Sequence, residues 1–209
     1  PHPMAKEVAV SRTLLRRSPD SESIVRSELA RVVSEAEENG FLTGHGAQQP
    51  LGVFTVSSDG ISASRDVSEG NTTSSPTFDG LKRAKYSIKQ TYWKGLNWMF
   101  HRDAMLRIAL LKDGQGRYLL QDSVVVGEPD RMLGFPVRMS EFAPNTFTTG
   151  LYVGILGDFA NYWIVTALNF TLERLVELNA RSNQDLFIVR METDGAPVRE
   201  EAFARVKLG

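Results

Sequence analysis

Three histidines are the first residues to weigh for chemistry, because the chain has no cysteine and so no thiolate nucleophile, thiolate metal ligand or disulfide. His2, His45 and His101 lie far apart, and none has a second histidine at ligand spacing, so no metal site is expected. The glycine-rich stretch from Gly40 to Gly52 invites comparison with a phosphate cradle. A cradle needs a strand, then glycines, then a helix, so that backbone N–H groups and the positive end of the helix dipole meet the phosphate. Here the order is helix, glycines, strand, and the stretch reads as a shaped structural turn with His45 facing solvent. Lys82, Lys85 and Lys89 fall on one helical face with Arg83 beside them, which reads as a solvated or inter-subunit face. Tyr92-Trp93, Trp98 and Tyr162-Trp163 read as core or interface aromatics. No Walker sequence, serine elbow or His-Glu-x-x-His motif is present, and the sequence singles out no Asp/Glu pair as an acid–base couple. No cofactor and no catalysis are expected.

Behind these residues stands one long amphipathic helix, predicted over Ser18–Asn39. Ser18 is placed to cap it, Pro19 suits its first position, and Asp20 and Glu22 put negative charge at its positive end. Val25, Leu29, Val32, Val33 and Ala36 repeat at the spacing of a single stripe, and Asn39-Gly40 supplies a stop. Such a stripe needs a sheet or a second helix over it. Val8 and Val10 alternate with polar neighbours as in a strand, and Val53–Val56 reads as a short β run. The Ser-, Gly-, Thr- and Asp-rich residues 57–76 read as an exposed connection.

Composition changes at Pro76. Thr77–Tyr92 is predicted helical, with Phe78, Leu81, Ala84, Tyr86 and Ile88 partly buried. Asn97–Phe100 follows as a strand, Arg102–Leu111 as a helix that His101 starts, and Asp113–Gly116 as a turn. Strand-like pieces then come at Tyr118–Leu120, Ser123–Val126, Phe135–Met139, Leu151–Leu156 and Tyr162–Ala167, with a turn at Gly127–Asp130. Asp185–Glu192, Asp194-Gly195 and Val198–Leu208 read as a hairpin and a closing element. The fold class is α+β, without βαβ alternation.

The totals exclude several function classes. Of 209 residues, 42% are hydrophobic and 23% charged, with 25 acidic against 24 basic side chains. This is an ordinary globular composition, with no excess of positive charge for a nucleic-acid coat or an anionic membrane. No run approaches the ~18 apolar residues of a membrane span. The chain opens Pro1-His2-Pro3 with its first Met at position 4, which suggests a fragment or a processed product.

Five stretches, in order, resemble the major capsid protein of tailed bacteriophages, of the Hong Kong 97-type fold. Val8–Leu15 leading into the long helix is similar to that family's approach to its spine helix. Leu42-x-Gly44-x-Gly46 with Pro50-x-Gly52 resembles the glycine loop that follows it. Leu133-Gly134-Phe135-Pro136-Val137 resembles a Leu-Gly-x-Pro-Val strand, and Gly157-Asp158-Phe159 with Tyr162 a Gly-Asp-Phe turn and strand. Phe187–Arg190, Asp194-Gly195 and Ala202-Phe203 are similar to the closing hairpin and C-terminal segment.

The resemblance implies a peripheral domain (residues 1–76 and 172–209, with the spine helix at 18–39) and an inserted axial domain (residues 77–171). It also implies that the N-terminal arm and the extended loop, which precede this point in the family, are missing, and that such a piece folds without closing shells. Some members crosslink subunits through a Lys, an Asn and a Glu. Glu192 falls at the Glu position, but Asp185 stands at the Asn position with Asn183 two residues away. A carboxylate is a poor electrophile, so no crosslinking is expected.

By the same resemblance the partners would be other copies, in hexamers and pentamers of an icosahedral shell around double-stranded DNA, with scaffold, maturation protease and portal proteins. No specific nucleic-acid site and no membrane are implied. The location would be the virion, and the host bacterial cytoplasm during assembly. Two rival readings stand beside it: an encapsulin-like compartment shell, and a hydrolase using paired carboxylates.

Overall fold

The computed structural model describes residues 1–18, 20–120 and 130–209. Pro19, the strand piece at Ser123–Val126 and residues 127–129 of the Gly127–Asp130 turn lie outside the described residues.

Strand β1 (His2–Ser11) leads into a short helix α1 (Arg12–Arg17) and then the long helix α2 (Ser21–Thr43). Ser18 does not cap α2. It closes α1 instead, its N–H donating to the Leu14 carbonyl at 3.0 Å. Asp20 takes the N-cap position of α2 without a side-chain hydrogen bond. At 23 residues α2 is roughly 35 Å long at 1.5 Å per residue. It runs through the expected stop at Asn39-Gly40, because Gly40 keeps helical backbone and its missing side chain makes room for Pro50. A Cβ at Gly40 would stand 3.4 Å from the proline ring.

Leu29 and Val33 of α2 bury against Val10, Phe187 and Val189, with Val25 and Leu172 half-buried beside them. Each such side chain contributes about 1.5–3 kcal/mol when fully buried. Ala36 is exposed and Val32 half-buried, so the stripe is narrower than its spacing suggests. The sheet under α2 has the order β1-β8-β7, all antiparallel, with β8 (Gln184–Pro197) between β1 and β7 (Tyr162–Leu175). Asp194-Gly195 is therefore not a hairpin turn, since β8 passes straight through it. The absent side chain of Gly195 admits Tyr162, whose hydroxyl would lie 2.6 Å from a Cβ there.

A second sheet has the order β2-β9-β6-β3-β5-β4. Its members are β2 (Asp66–Val67), β3 (Leu96–Phe100), β4 (Arg131–Met132), β5 (Phe135–Met139), β6 (Tyr152–Asp158) and β9 (Phe203–Lys207). The five residues Val153–Gly157 of β6 are all buried, as expected of a strand covered on both faces. Helices α3 (Phe78–Ser87) and α4 (Arg102–Ala109) contribute Leu81, Ala84, Met105 and Ile108 to one core with Trp98, Phe100 and Leu156. Val53, Phe54 and Ile61 join Ile155 and Phe203 in another.

Several local expectations give way to this packing. Val53–Val56 forms turns, its amides at Val53 and Phe54 donating to Phe41 and Leu42 at 3.1 and 2.9 Å. Helix α3 ends at Ser87 and is followed by a 3-10 turn at Gln90–Gly95, and Tyr86 is exposed. Tyr118–Leu120 makes only a single bridge, Tyr118 to Lys112. Strands β2 and β9, from outside residues 77–171, complete the six-stranded sheet, and β7, which begins inside that span, pairs with β8.

Candidate assembly surface

The residues that could have carried chemistry are held in structural roles. Among the described residues no group of three or more His, Asp or Glu side chains could hold a metal ion. His101 is buried as the N-cap of α4, its Nδ1 accepting the Asp103 N–H at 3.1 Å. His45 is exposed, accepting the Ala47 N–H, and His2 lies 3.9 Å from Asp194. The glycine loop cradles nothing, because its amides are used internally: Gly44 to Gly40, Gly52 to Gly44, and Leu51 to Gly195 at 2.7 Å. The cationic face of α3 is also occupied. Lys89 pairs with Glu201 and Arg83 with Glu69, each at 2.6 Å, while Lys85 donates to the Leu133 carbonyl over the Trp93 and Phe135 rings.

Asp185 sits buried at the start of β8, clamped by Arg12 Nε at 2.7 Å and Arg174 Nη2 at 2.6 Å. The hydrogen bonds from Arg174 and then Arg12 hold its carboxyl below the usual carboxylate range. Glu22 converges on the same Arg174 guanidinium at 3.1 Å. The clamp ties α1, α2, β7 and β8 together. Glu192 is half-buried seven residues further along, and strand alternation puts it on the opposite face of β8 from Asp185. Asn183 closes the β7–β8 connection in a left-handed conformation, φ 55°. The structure therefore does not bring Asp185 and Glu192 together.

One region is left unfinished. β7 pairs with β8 along one side only, and its other side is the free edge of the sheet. Trp163, Ile164 and Val165 on it are 64%, 54% and 56% exposed, and Leu168 and Phe170 are exposed as well. Shallow apolar grooves flank the same residues on both faces. On the α2 side a groove of about 420 Å³ is walled by Phe41, Met99, Phe159, Tyr162 and Ile164, with Glu37 and Glu38 at its rim. On the other side one of about 310 Å³ is walled by Trp163, Val165 and Val198, with Asp194 at its rim. Tyr162 is fixed at the junction. Its hydroxyl donates to the Leu51 carbonyl at 3.1 Å, and burial, then the nearby Asp194 charge, pushes that hydroxyl's pKa up.

Of this surface the sequence reading marked Tyr162-Trp163 and missed Ile164, Val165, Leu168 and Phe170. The available signal was the absence of any charge from Tyr162 to Leu172. Such a surface makes no covalent chemistry; it offers apolar area and unpaired backbone groups to another chain.

Comparison with known proteins gives one family. Residues 1–208 match the model described as the Phage capsid family. A solved structure of the capsid of an empty GTA particle superposes with TM-score 0.86 at 23% identity, covering 100% of this chain and 73% of that one. Gordonia phage Cozz gives TM-score 0.66 at 15% identity over 99% of this chain and 70% of that one. The holo-SrpI encapsulin complex from Synechococcus elongatus PCC 7942 gives 0.72 at 14% identity, over 98% and 72%. No curated protein matches by sequence.

Proposed function

The chain belongs to the phage capsid family, and from that membership we propose how its geometry serves a shell. It is a structural protein rather than an enzyme: a major capsid protein whose copies self-associate into an icosahedral shell. Head-to-tail contacts between identical subunits close into rings, and many modest contacts per subunit make the closed assembly stable. We assign the rings as hexamers and pentamers around double-stranded DNA. Residues 77–171 form the axial lobe at the ring centre, and residues 1–76 and 172–209 the peripheral one, with β2 and β9 stitching the lobes together. Scaffold, maturation protease and portal proteins are the transient partners, with assembly in the host bacterial cytoplasm before the protein becomes part of the virion. No helix among the described residues is long and apolar enough to cross a membrane.

The observation that carries this reading is the long exposed apolar edge of β7 in a family of shell proteins. An isolated subunit leaves it bare, and a lattice of copies has the means to cover it. Nothing in the clamp on Asp185 or the placement of Glu192 supports crosslinking, so the shell is proposed to hold noncovalently. Expression of the full-length gene followed by electron microscopy and mass spectrometry tests this. Closed icosahedral particles without a packaged enzyme are expected, running as single chains on denaturing gels. Monomers at all concentrations would overturn it, and particles with one co-purifying enzyme would favour the encapsulin-like alternative.

A further inference from the structure

The free edge of β7 has a feature beyond exposure: it is apolar on both faces at the same residues. Ile164 points to the α2 side and Trp163 and Val165 to the other, each bordering its own groove. A partner lying flat on one face of the sheet would cover one set and leave the other in water. An added strand covers both, because its side chains also alternate between the faces. The edge itself is unguarded between Tyr162 and Thr166, with no proline, charge or bulge, and the register of β7 against β8 first shifts between Thr166 and Leu168. The free side of β1 differs, since it carries Pro3, Lys6 and Glu7.

We propose that Tyr162–Thr166 is a strand-acceptor site, filled in the assembly by an extended segment of a second copy of this chain. The proposal rests on the shell reading above, which supplies the second copy at high local concentration. Charge complementarity points the same way. Glu37 and Glu38 rim one groove and Asp194 the other, so the incoming strand is favoured by basic residues. The chain carries Lys6, Arg16, Arg17 and Arg181 with no ion-pair partner printed by the fold among the described residues.

Glutamate substitutions on the two faces test it in the full-length protein. Ile164→Glu and Val165→Glu are each expected to raise the concentration for half-assembly in sedimentation at least about tenfold, a change of about 1.4 kcal/mol. Both sites are already in water in the subunit, so its melting temperature should hold and separate assembly from folding. Sensitivity to Val165→Glu alone would mean docking on one face, and insensitivity to both would mean that the edge is not an interface; either result overturns the strand-acceptor site while leaving the shell intact. Failure of the unsubstituted protein to associate at all would overturn the shell reading and the site together.

Discussion

Trp98 and Trp163 stand on two strands of similar apolar content, and they meet opposite fates. Trp98, on β3, is fully buried, stacks on Phe100 at 5.5 Å between ring centres and donates its indole N–H to the Met132 carbonyl at 3.0 Å. Trp163, on β7, is 64% exposed. The difference lies in how each sheet ends. The six-stranded sheet is bounded by β2 and β4, two residues each, which is a common way of blunting an edge. The three-stranded sheet is bounded on one side by the 14 residues of β7. One lobe is finished within the chain, and the other leaves a surface for the lattice. Stability and assembly should therefore respond to different residues.

The largest expected effect separates the two tryptophans. Trp98→Ala should cost about 3–5 kcal/mol in denaturant unfolding, the usual loss for a buried aromatic. Trp163→Ala should stay within about 0.5 kcal/mol, as exposed substitutions do, while weakening assembly. Equal losses of stability from both would break the comparison.

Arg205 should come next. It is fully buried, donating to Asp66 at 2.8 Å and to the carbonyls of Thr55 and Ser62 at 2.9 and 2.8 Å. Asp66 also accepts from Tyr152, whose hydroxyl is pushed up to about 12 by burial and then by that bond. Arg205→Met leaves Asp66 and both carbonyls without this donor in the interior, and thermal or chemical unfolding should show a loss of about 3–5 kcal/mol.

Asp185 sharpens the comparison through pH. Its folded pKa lies below that of the unfolded chain, so its stabilisation is present above the ordinary carboxylate pKa and is lost as pH falls through the folded value. Asp185→Asn should lower the melting temperature at neutral pH and make the acid-side decline shallower. Glu200 and Glu201, lowered by Ser62 and Lys89, have the same sign and should keep part of that decline. Melting curves from neutral to acid pH would show it, and an unchanged acid decline would mean that the clamp does not matter.

The smallest effect is expected at His45, exposed on its loop. His45→Ala should alter unfolding by no more than about 0.5 kcal/mol, and a larger change would give that loop a role not assigned above.

What the sequence made legible follows from periodicity. The stripe Val25–Leu29–Val33 announced α2 and its covering sheet, and the ordered glycine and aromatic landmarks announced the family. What it hid depends on residues far away in the chain. Gly40 and Gly195 looked like punctuation, but each exists to admit a ring, from Pro50 and Tyr162 respectively. Asp185 read as a poor electrophile; its two arginines, 173 and 11 positions away, could not be read from local spacing. The reach of β7 was underestimated because exposure on both faces has no signature in a rule built on one buried face.

Hydrogen exchange compared between free subunits and assembled particles of the full-length protein tests the division most directly. The amides of Tyr162–Thr166 are expected to exchange rapidly in the subunit and slow markedly in the particle, while those of β3 and β6 are protected in both. Equal exchange at Tyr162–Thr166 in the two states would contradict the claim that the lattice completes what this chain leaves open.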